Sequence, residues 1–130
     1  MRNLQYIDLS SCGFHDAIPQ QIENLSGLRY LNLGNSYPIF MDNKLKVRNL
    51  QWLWHLSSLE HLDLTGVDVS KASDWLRAVE NLPSLLELRL ASCGLRSLIS
   101  SNVANLTHLR VLDLSWNNFN SSLPRLIYSC

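Results

Sequence analysis

A spacing of leucines recurs five times along this chain, and it limits the possible folds more than any other feature. The five segments begin at Leu4, Leu28, Leu59, Leu85 and Leu109, so the steps between them are 24, 31, 26 and 24 residues. Each segment has apolar residues at its first, fourth and sixth positions, and this alternation predicts a short strand. The fifth segment, LRVLDLSWN, ends with the polar residue Asn117, which a lone strand does not need.

The repeated pattern predicts the architecture of the whole chain. A period of about 20–29 residues with this leucine spacing is the signature of a leucine-rich repeat. We therefore expect an α/β solenoid, an arc with one parallel concave sheet of about five short strands and with loops or short helices on the convex side. The expected units are residues 1–27, 28–58 with an insertion, 59–84, 85–108 and, in part, 109–130. We expect a fragment of a longer array, because the pattern includes no polar cap at either end.

The strand and turn positions of each unit have separate expected roles. Because side chains alternate between the faces of a strand, the apolar strand residues should point into the core. These residues are Ile7, Leu9, Leu31, Leu33, Leu62, Leu64, Leu88, Leu90, Leu112 and Leu114. The turn after each strand buries backbone groups, which a side chain that both donates and accepts can satisfy. The turn positions hold Cys12, Ser36, Val67, Cys93 and Asn117. Val67 cannot donate, so we expect the third turn to use Thr65 or a water.

Two stretches favour short helices on the convex side. Residues 49–56, within the long second unit, are expected to form one of them. The other lies in the third unit, where Ala72, Trp75, Leu76 and Val79 stand at helical spacing. Pro83 follows just beyond its expected end.

Charge and hydropathy exclude several kinds of partner. The formal net charge is zero, which removes the electrostatic case for binding nucleic acid or an anionic membrane. No stretch approaches the 18 uninterrupted apolar residues of a membrane span. The first residues, MRNLQYIDL, contain no apolar signal region. We therefore expect no membrane contact by this segment itself.

Residues that could support catalysis or metal binding do not form a recognisable motif. His15, His55, His61 and His108 lack the spacing of metal ligands, and no nucleophile elbow, phosphate loop or zinc motif occurs. His61 and Asp63 share a strand face, and we interpret them as solvent-facing repeat positions. We expect no catalytic residue, metal site or cofactor, and hence a protein that is not an enzyme.

The three cysteines are not expected to form a disulfide with one another. Cys12 and Cys93 occupy the same position in the first and fourth units, so three strand spacings separate them by about 14 Å. A disulfide requires Cα atoms within about 7 Å. We interpret both as buried turn residues and leave the partner of Cys130 open.

The concave face provides the candidate binding residues, because solenoids use that surface for recognition. The template places two columns of side chains on it. The first contains Tyr6, Tyr30, His61, Glu87 and Val111, and the second contains Asp8, Asn32, Asp63, Arg89 and Asp113. All of these except Val111 are candidate partner-binding residues. Separately, Asn24, Asn105 and Asn120 begin sequons and are candidate N-glycosylation sites.

Several longer runs resemble a known family. LDLSWNNFNSSLP, IPQQIENLSGLRYLNLG and the irregular second unit followed by VDVSKASDWL resemble plant leucine-rich repeat receptor-like proteins. The closest similarity is to the group that includes receptors for fungal ethylene-inducing xylanase. The resemblance implies a fragment of the extracellular recognition region of a cell-surface immune receptor anchored in the cell membrane. It also implies a protein or peptide ligand and a partner kinase as co-receptor.

Two other functions share the predicted fold. One is the ectodomain of a leucine-rich repeat receptor kinase, which only a kinase domain elsewhere in the protein would distinguish. The other is an intracellular leucine-rich repeat scaffold, which would suit unpaired cysteines but not the sequons.

Overall fold

The computed structural model describes residues 4–10, 20–34, 45–72, 75–95, 106 and 108–117. Five short strands follow one another: β1 Tyr6–Asp8, β2 Tyr30–Asn32, β3 His61–Asp63, β4 Glu87–Arg89 and β5 Val111–Asp113. Within the described residues, the segments between the strands contain the 3-10 helices η1 Gln20–Asn24 and η2 Gln51–His55 and the α-helix α1 Trp75–Glu80. Cys12, Ser36 and Cys130 lie outside the described residues.

The strands form one parallel sheet in chain order, which confirms the predicted leucine-rich repeat arc. Each strand pairs with its successor without a shift, so the central residues Ile7, Leu31, Leu62, Leu88 and Leu112 form one row across the sheet. The second unit contains the 31-residue step, yet β2 and β3 pair in the same register as the other strands. A short parallel bridge between Lys46 and Asp68 also joins the second and third units outside the sheet.

The core is a stack of leucines. Leu31, Leu62 and Leu88 are 0%, 1% and 0% exposed, and the second inward position is equally buried at Leu64 and Leu90. At the two ends of the sheet, Ile7, Leu9 and Leu112 are partly buried and pack against this core. The expected inward positions are thus confirmed, and burial is most complete in the middle of the stack.

The 3-10 helices have a simple cause in the sequence. Leu50, Leu53, Leu56 and Leu59 stand at every third position, and each is 0% exposed. A helix with three residues per turn places every third side chain on one face. The backbone follows this spacing, because the N–H groups of Leu53 and Leu56 donate to the carbonyls three residues earlier at 3.1 and 2.9 Å. The expected helix near residues 49–56 is therefore present as the 3-10 helix η2.

The predicted helix of the third unit is α-helical. Trp75, Leu76, Ala78 and Val79 are its buried residues, and this spacing matches 3.6 residues per turn. After α1, the chain returns to three-residue steps, since Leu82 N–H donates to the Val79 carbonyl at 3.1 Å.

Asn117, at the turn after β5, connects two successive units. Its Nδ2 donates to the carbonyls of Leu90 and Leu114 at 2.8 and 3.0 Å. Its Oδ1 accepts the backbone N–H groups of Cys93 and Leu95 at 2.9 and 3.0 Å. The asparagine therefore satisfies its own turn, as expected, and also holds the turn of the preceding unit.

The third turn is held without a polar side chain at position 67. Val67 N–H donates to the Leu64 carbonyl at 2.9 Å, and Gly66 N–H donates to the Ala91 carbonyl at 2.9 Å. The buried thiol of Cys93, in the next unit, donates to the same Leu64 carbonyl at 3.0 Å. Backbone groups and a neighbouring cysteine thus take the role for which we expected Thr65 or a water.

Candidate functional site

The two columns expected on the concave face are aligned by the sheet register. Tyr6, Tyr30, His61, Glu87 and Val111 are successive partners across the five strands, as are Asp8, Asn32, Asp63, Arg89 and Asp113. These residues flank the inward leucines and are exposed or half-buried. The face is a continuous surface of side chains on a hydrogen-bonded sheet.

An aromatic ladder, formed by Tyr6, Tyr30 and His61, runs across the first three strands. The Tyr6 and Tyr30 rings are stacked, with centroids 4.2 Å apart and an interplanar angle of 9°. His61 continues the row at 5.9 Å from Tyr30, with its ring tilted by 44°. Tyr6 is 59% exposed, and its hydrogen bond to Tyr30 is the largest cause of a raised pKa of the Tyr6 phenol.

Acidic side chains lie near arginine or histidine side chains of neighbouring units along the same face. Arg29 Nε lies 3.8 Å from Glu60 Oε2, and Arg89 Nη1 lies 3.8 Å from Asp113 Oδ2. His61 Nδ1 is 3.5 Å from Glu87 Oε2, which is longer than an ordinary hydrogen bond. Arg29 and Glu60 were not predicted as site residues, although they belong to the adjoining column one position before the aromatic ladder.

The aspartates of the second column also have a structural role that was not predicted. Asp8 Oδ1 accepts the backbone N–H and the hydroxyl of Ser10 at 3.0 and 2.6 Å. Asn32 and Asp63 accept the N–H two residues later at 2.8 and 2.9 Å. This is the Asx turn, in which a side-chain oxygen caps the chain as it leaves the strand. The recurring D/N-x-S/G/T sequence was the available signal.

These turns change the acidity of two carboxyl groups. At the end of β5, the Ser115 hydroxyl and backbone N–H both donate to Asp113 Oδ1, at 2.6 and 3.0 Å. The hydroxyl bond is the largest cause of a lowered pKa of Asp113, and Arg89 adds a smaller contribution. The pKa of Asp8 is lowered in the same way by Ser10.

Ser115→Ala is expected to raise the pKa of Asp113 towards the ordinary aspartate value, because the strongest interaction with the carboxylate is removed. NMR titration of the side-chain carboxyl carbons measures this midpoint, and Asp8, which keeps Ser10, is the internal control. Since the folded-state pKa lies below the unfolded value of about 3.9, the interaction stabilises the fold above that pH. The stabilisation is lost as the pH falls through the folded-state pKa. Identical Asp113 midpoints in both proteins would contradict the role of the hydroxyl.

A shallow depression of about 30 Å³ lies between the columns, lined mainly by Tyr30, His61, Asp63, Glu87 and Arg89. Its volume admits a side-chain tip rather than a small-molecule substrate, because ligand pockets span several hundred Å³. Within the described residues, no group of three or more His, Cys, Asp or Glu side chains could hold a metal ion. Within those residues, too, no helix is long and apolar enough to cross a membrane.

Two further surface features lie outside the columns. Asn24, the first residue of a sequon, is exposed at the end of η1, whereas Asn105 and Asn120 lie outside the described residues. Trp116 is 87% exposed at the turn after β5 and has φ of 60°. The corresponding residues of the two preceding turns, Gly66 and Ser92, share this left-handed conformation.

Comparison with known proteins agrees with this geometry. The family described as "Leucine rich repeat" matches residues 2–68, and a second family of the same description matches residues 105–122. The chain is similar to Receptor-like protein EIX1 of Solanum lycopersicum, with 40% identity over 126 residues. It is also similar to Receptor-like protein 35 of Arabidopsis thaliana, with 31% identity over 129 residues. These alignments cover 94% and 95% of this chain but only 11% and 13% of the two relatives.

A solved structure is also similar to this chain, and it too is a leucine-rich repeat protein. The chain superimposes with a TM-score of 0.72 and 28% identity on the leucine-rich repeat ectodomain of the plant membrane receptor kinase GASSHO1/SCHENGEN3 from Arabidopsis thaliana. That ectodomain was crystallised in complex with CASPARIAN STRIP INTEGRITY FACTOR 2. The match covers 97% of this chain and 14% of the ectodomain chain. The repeat pattern, the sheet and these matches together show that the chain belongs to the leucine-rich repeat family, and its relatives include plant receptor-like proteins.

Proposed function

We propose that this chain is a recognition segment of a plant cell-surface receptor-like protein, and that its concave face binds a protein or peptide ligand. The observation that carries the proposal is the aromatic ladder on the sheet, in which Tyr6 is exposed and Tyr30 and His61 are half-buried. The relatives of the chain include receptor-like proteins, and the similar receptor-kinase ectodomain was solved in complex with a partner.

The physical argument rests on which side chains make strong interfaces. Tyrosine, tryptophan and arginine are enriched among the residues that dominate binding energy. The ladder holds two tyrosines already stacked, so a ligand would not have to order them. Pre-ordering reduces the entropy lost on association. Arg89, fixed beside Asp113, adds a charged donor at the far end of the same surface.

The cellular setting is part of the same proposal. As the ectodomain of a membrane protein, this region would face the outside of the cell, and Asn24 would be available as a glycosylation acceptor because it is exposed. A protein of this kind would signal through a separate kinase acting as co-receptor. A parent with its own kinase domain is the second candidate, which the similarity to a receptor-kinase ectodomain favours.

The binding role of the concave face is tested by selecting a displayed random-peptide library on the 130-residue chain. We expect Tyr30→Ala combined with Arg89→Ala to lower the affinity for the selected peptides at least about thirtyfold. Each side chain is of a type whose truncation in an interface costs about 1 kcal/mol or more. The matched control is Trp54→Ala with His55→Ala, which changes two exposed residues of η2 on the other side of the arc. Circular dichroism is the check that both variants fold. Peptides that bind the folded Tyr30 and Arg89 variant with unchanged affinity would remove this face as the binding site.

A further inference from the structure

Carboxylates on the concave face differ in whether a basic or histidine side chain lies beside them. Glu60, Glu87 and Asp113 each lie near a basic or histidine side chain, at 3.8, 3.5 and 3.8 Å. Within the described part of the chain, Asp8 and Asp63 have no ion pair of this kind. Arg89 is the register neighbour of both Asp63 and Asp113, but its Nη1 is placed 3.8 Å from Asp113. The first three units therefore leave two negative charges available in one column.

Both aspartates keep an oxygen for a ligand while they hold their turns. Asp8 uses Oδ1 for both of its bonds to Ser10, and Asp63 uses Oδ1 for the Thr65 N–H. Oδ2 of each carboxylate is then available to accept a hydrogen bond. Between them, Asn32 uses its Oδ1 for Gly34 N–H, so its amide nitrogen can donate to a passing carbonyl.

The distance between the two charges matches the same-face residue spacing of one backbone conformation of a peptide ligand better than that of another. Asp8 and Asp63 are two strands apart, which corresponds to about 9.6 Å at a strand spacing of about 4.8 Å. In a polyproline II helix, residues i and i+3 lie on the same face and about 9.3 Å apart. In a β-strand, same-face residues i and i+2 are about 6.7 Å apart, which spans neither one nor two strand spacings.

The aromatic ladder beside these aspartates favours the same conformation. Peptides in the polyproline II conformation dock on aromatic-lined surfaces, because their proline rings pack on aromatic side chains and their backbone is already ordered. The stacked Tyr6 and Tyr30 provide such a surface one column from Asp8 and Asn32. The unpaired backbone carbonyls of this helix can accept from the Asn32 amide.

We propose that the concave face of units one to three binds a proline-rich peptide segment in the polyproline II conformation, with basic side chains three residues apart. Arginines at i and i+3 pair with Asp8 and Asp63, while the intervening proline on the edge of the threefold helix that faces the aromatic ladder lies on Tyr6 and Tyr30. This inference rests on the proposed recognition function of the concave face and adds the chemistry of the ligand.

Three synthetic peptides of equal length test the proposal by calorimetry at low ionic strength. The first has two arginines at i and i+3 in a proline background, the second has the same arginines at i and i+2, and the third has glutamates at i and i+3. We expect the first peptide to bind at least about fivefold tighter than the second and at least about tenfold tighter than the third. Higher salt should reduce the preference, because exposed charge pairs are screened.

Variants identify the groups that produce the preference. Asp8→Asn with Asp63→Asn removes both charges but keeps the turn acceptors, as Asn32 does in the second unit. We expect this variant to fold and to bind all three peptides equally. Asp68→Asn is the matched control, since Asp68 accepts the same two bonds from Ser70 outside the sheet. That control should retain the preference for the first peptide.

The outcomes separate this inference from the proposed function. Peptides that bind the concave face without preference for charge or spacing would overturn the inference and leave the recognition function standing. A preference that persists in the folded Asp8 and Asp63 variant would also overturn it. If no member of the series binds and the library selection yields no concave-face ligand, both proposals fail.

Discussion

Replacing Asn117 with alanine is expected to lower the free energy of unfolding by about 3 kcal/mol. The side chain accepts from two backbone N–H groups, those of Cys93 and Leu95, and donates to the carbonyls of Leu90 and Leu114. Leaving a buried backbone group without its partner costs about 1–3 kcal/mol, and these groups are partly buried. Urea unfolding followed by circular dichroism measures the loss as a lower midpoint.

Two variants make the Asn117 measurement specific. Asn81→Ala removes an exposed asparagine that makes a bond to the Arg77 carbonyl at 2.9 Å, and we expect a change below about 1 kcal/mol. Asn117→Cys should fall between wild type and alanine, because Cys93 shows that a thiol can donate to the preceding unit. Equal stability of the alanine variant and wild type would show that the bridge between units is not a major source of stability.

Leu88→Ala is expected to lower the free energy of unfolding by about 3 kcal/mol for a different reason. Leu88 is 0% exposed at the centre of β4, and truncation of a buried leucine costs about 2–5 kcal/mol because a cavity remains. Its neighbours Leu62 and Leu112 are held by sheet hydrogen bonds and cannot collapse fully into the space. The same urea experiment reports the change.

Leu86→Ala is the matched control for the core variant. Leu86 precedes β4 and is half-buried, so its truncation leaves little or no enclosed cavity. We expect it to cost less than about 1 kcal/mol. If both leucine variants lost the same stability, burial in the central row would not explain the effect.

The sheet could be predicted from the sequence because its register follows from a period. Once Leu4, Leu28, Leu59, Leu85 and Leu109 are aligned, every strand position has a fixed neighbour, and both concave columns follow. The same alignment placed Tyr30 between Tyr6 and His61. The periodic pattern did not predict how the aromatic rings stack, or that Arg89 pairs with Asp113 rather than with Asp63, because both depend on side-chain rotamers.

Other features had a signal in the sequence whose meaning depends on three dimensions. The leucines at every third residue from Leu50 to Leu59 indicated a helix, and only their strict spacing distinguishes a 3-10 helix from an α-helix. The role of Asn117 in its own turn was expected, whereas its bonds to Leu90 and Cys93 cross a gap of more than 20 residues. Hydrogen bonds between units depend on how the units stack. The alternation of apolar and polar residues along a single unit does not predict that stacking.

The alignment of β2 with β3 across the longest unit has an evolutionary consequence. The step from Tyr30 to His61 is seven residues longer than the step from Tyr6 to Tyr30, yet all three remain partners in the same row. Insertions and deletions between two strands can therefore accumulate without changing how the strands pair. The length of a unit and the side chains of the concave columns can then vary as two separate characters, so descendants of one ancestral array can gain residues between strands while keeping the same inner surface.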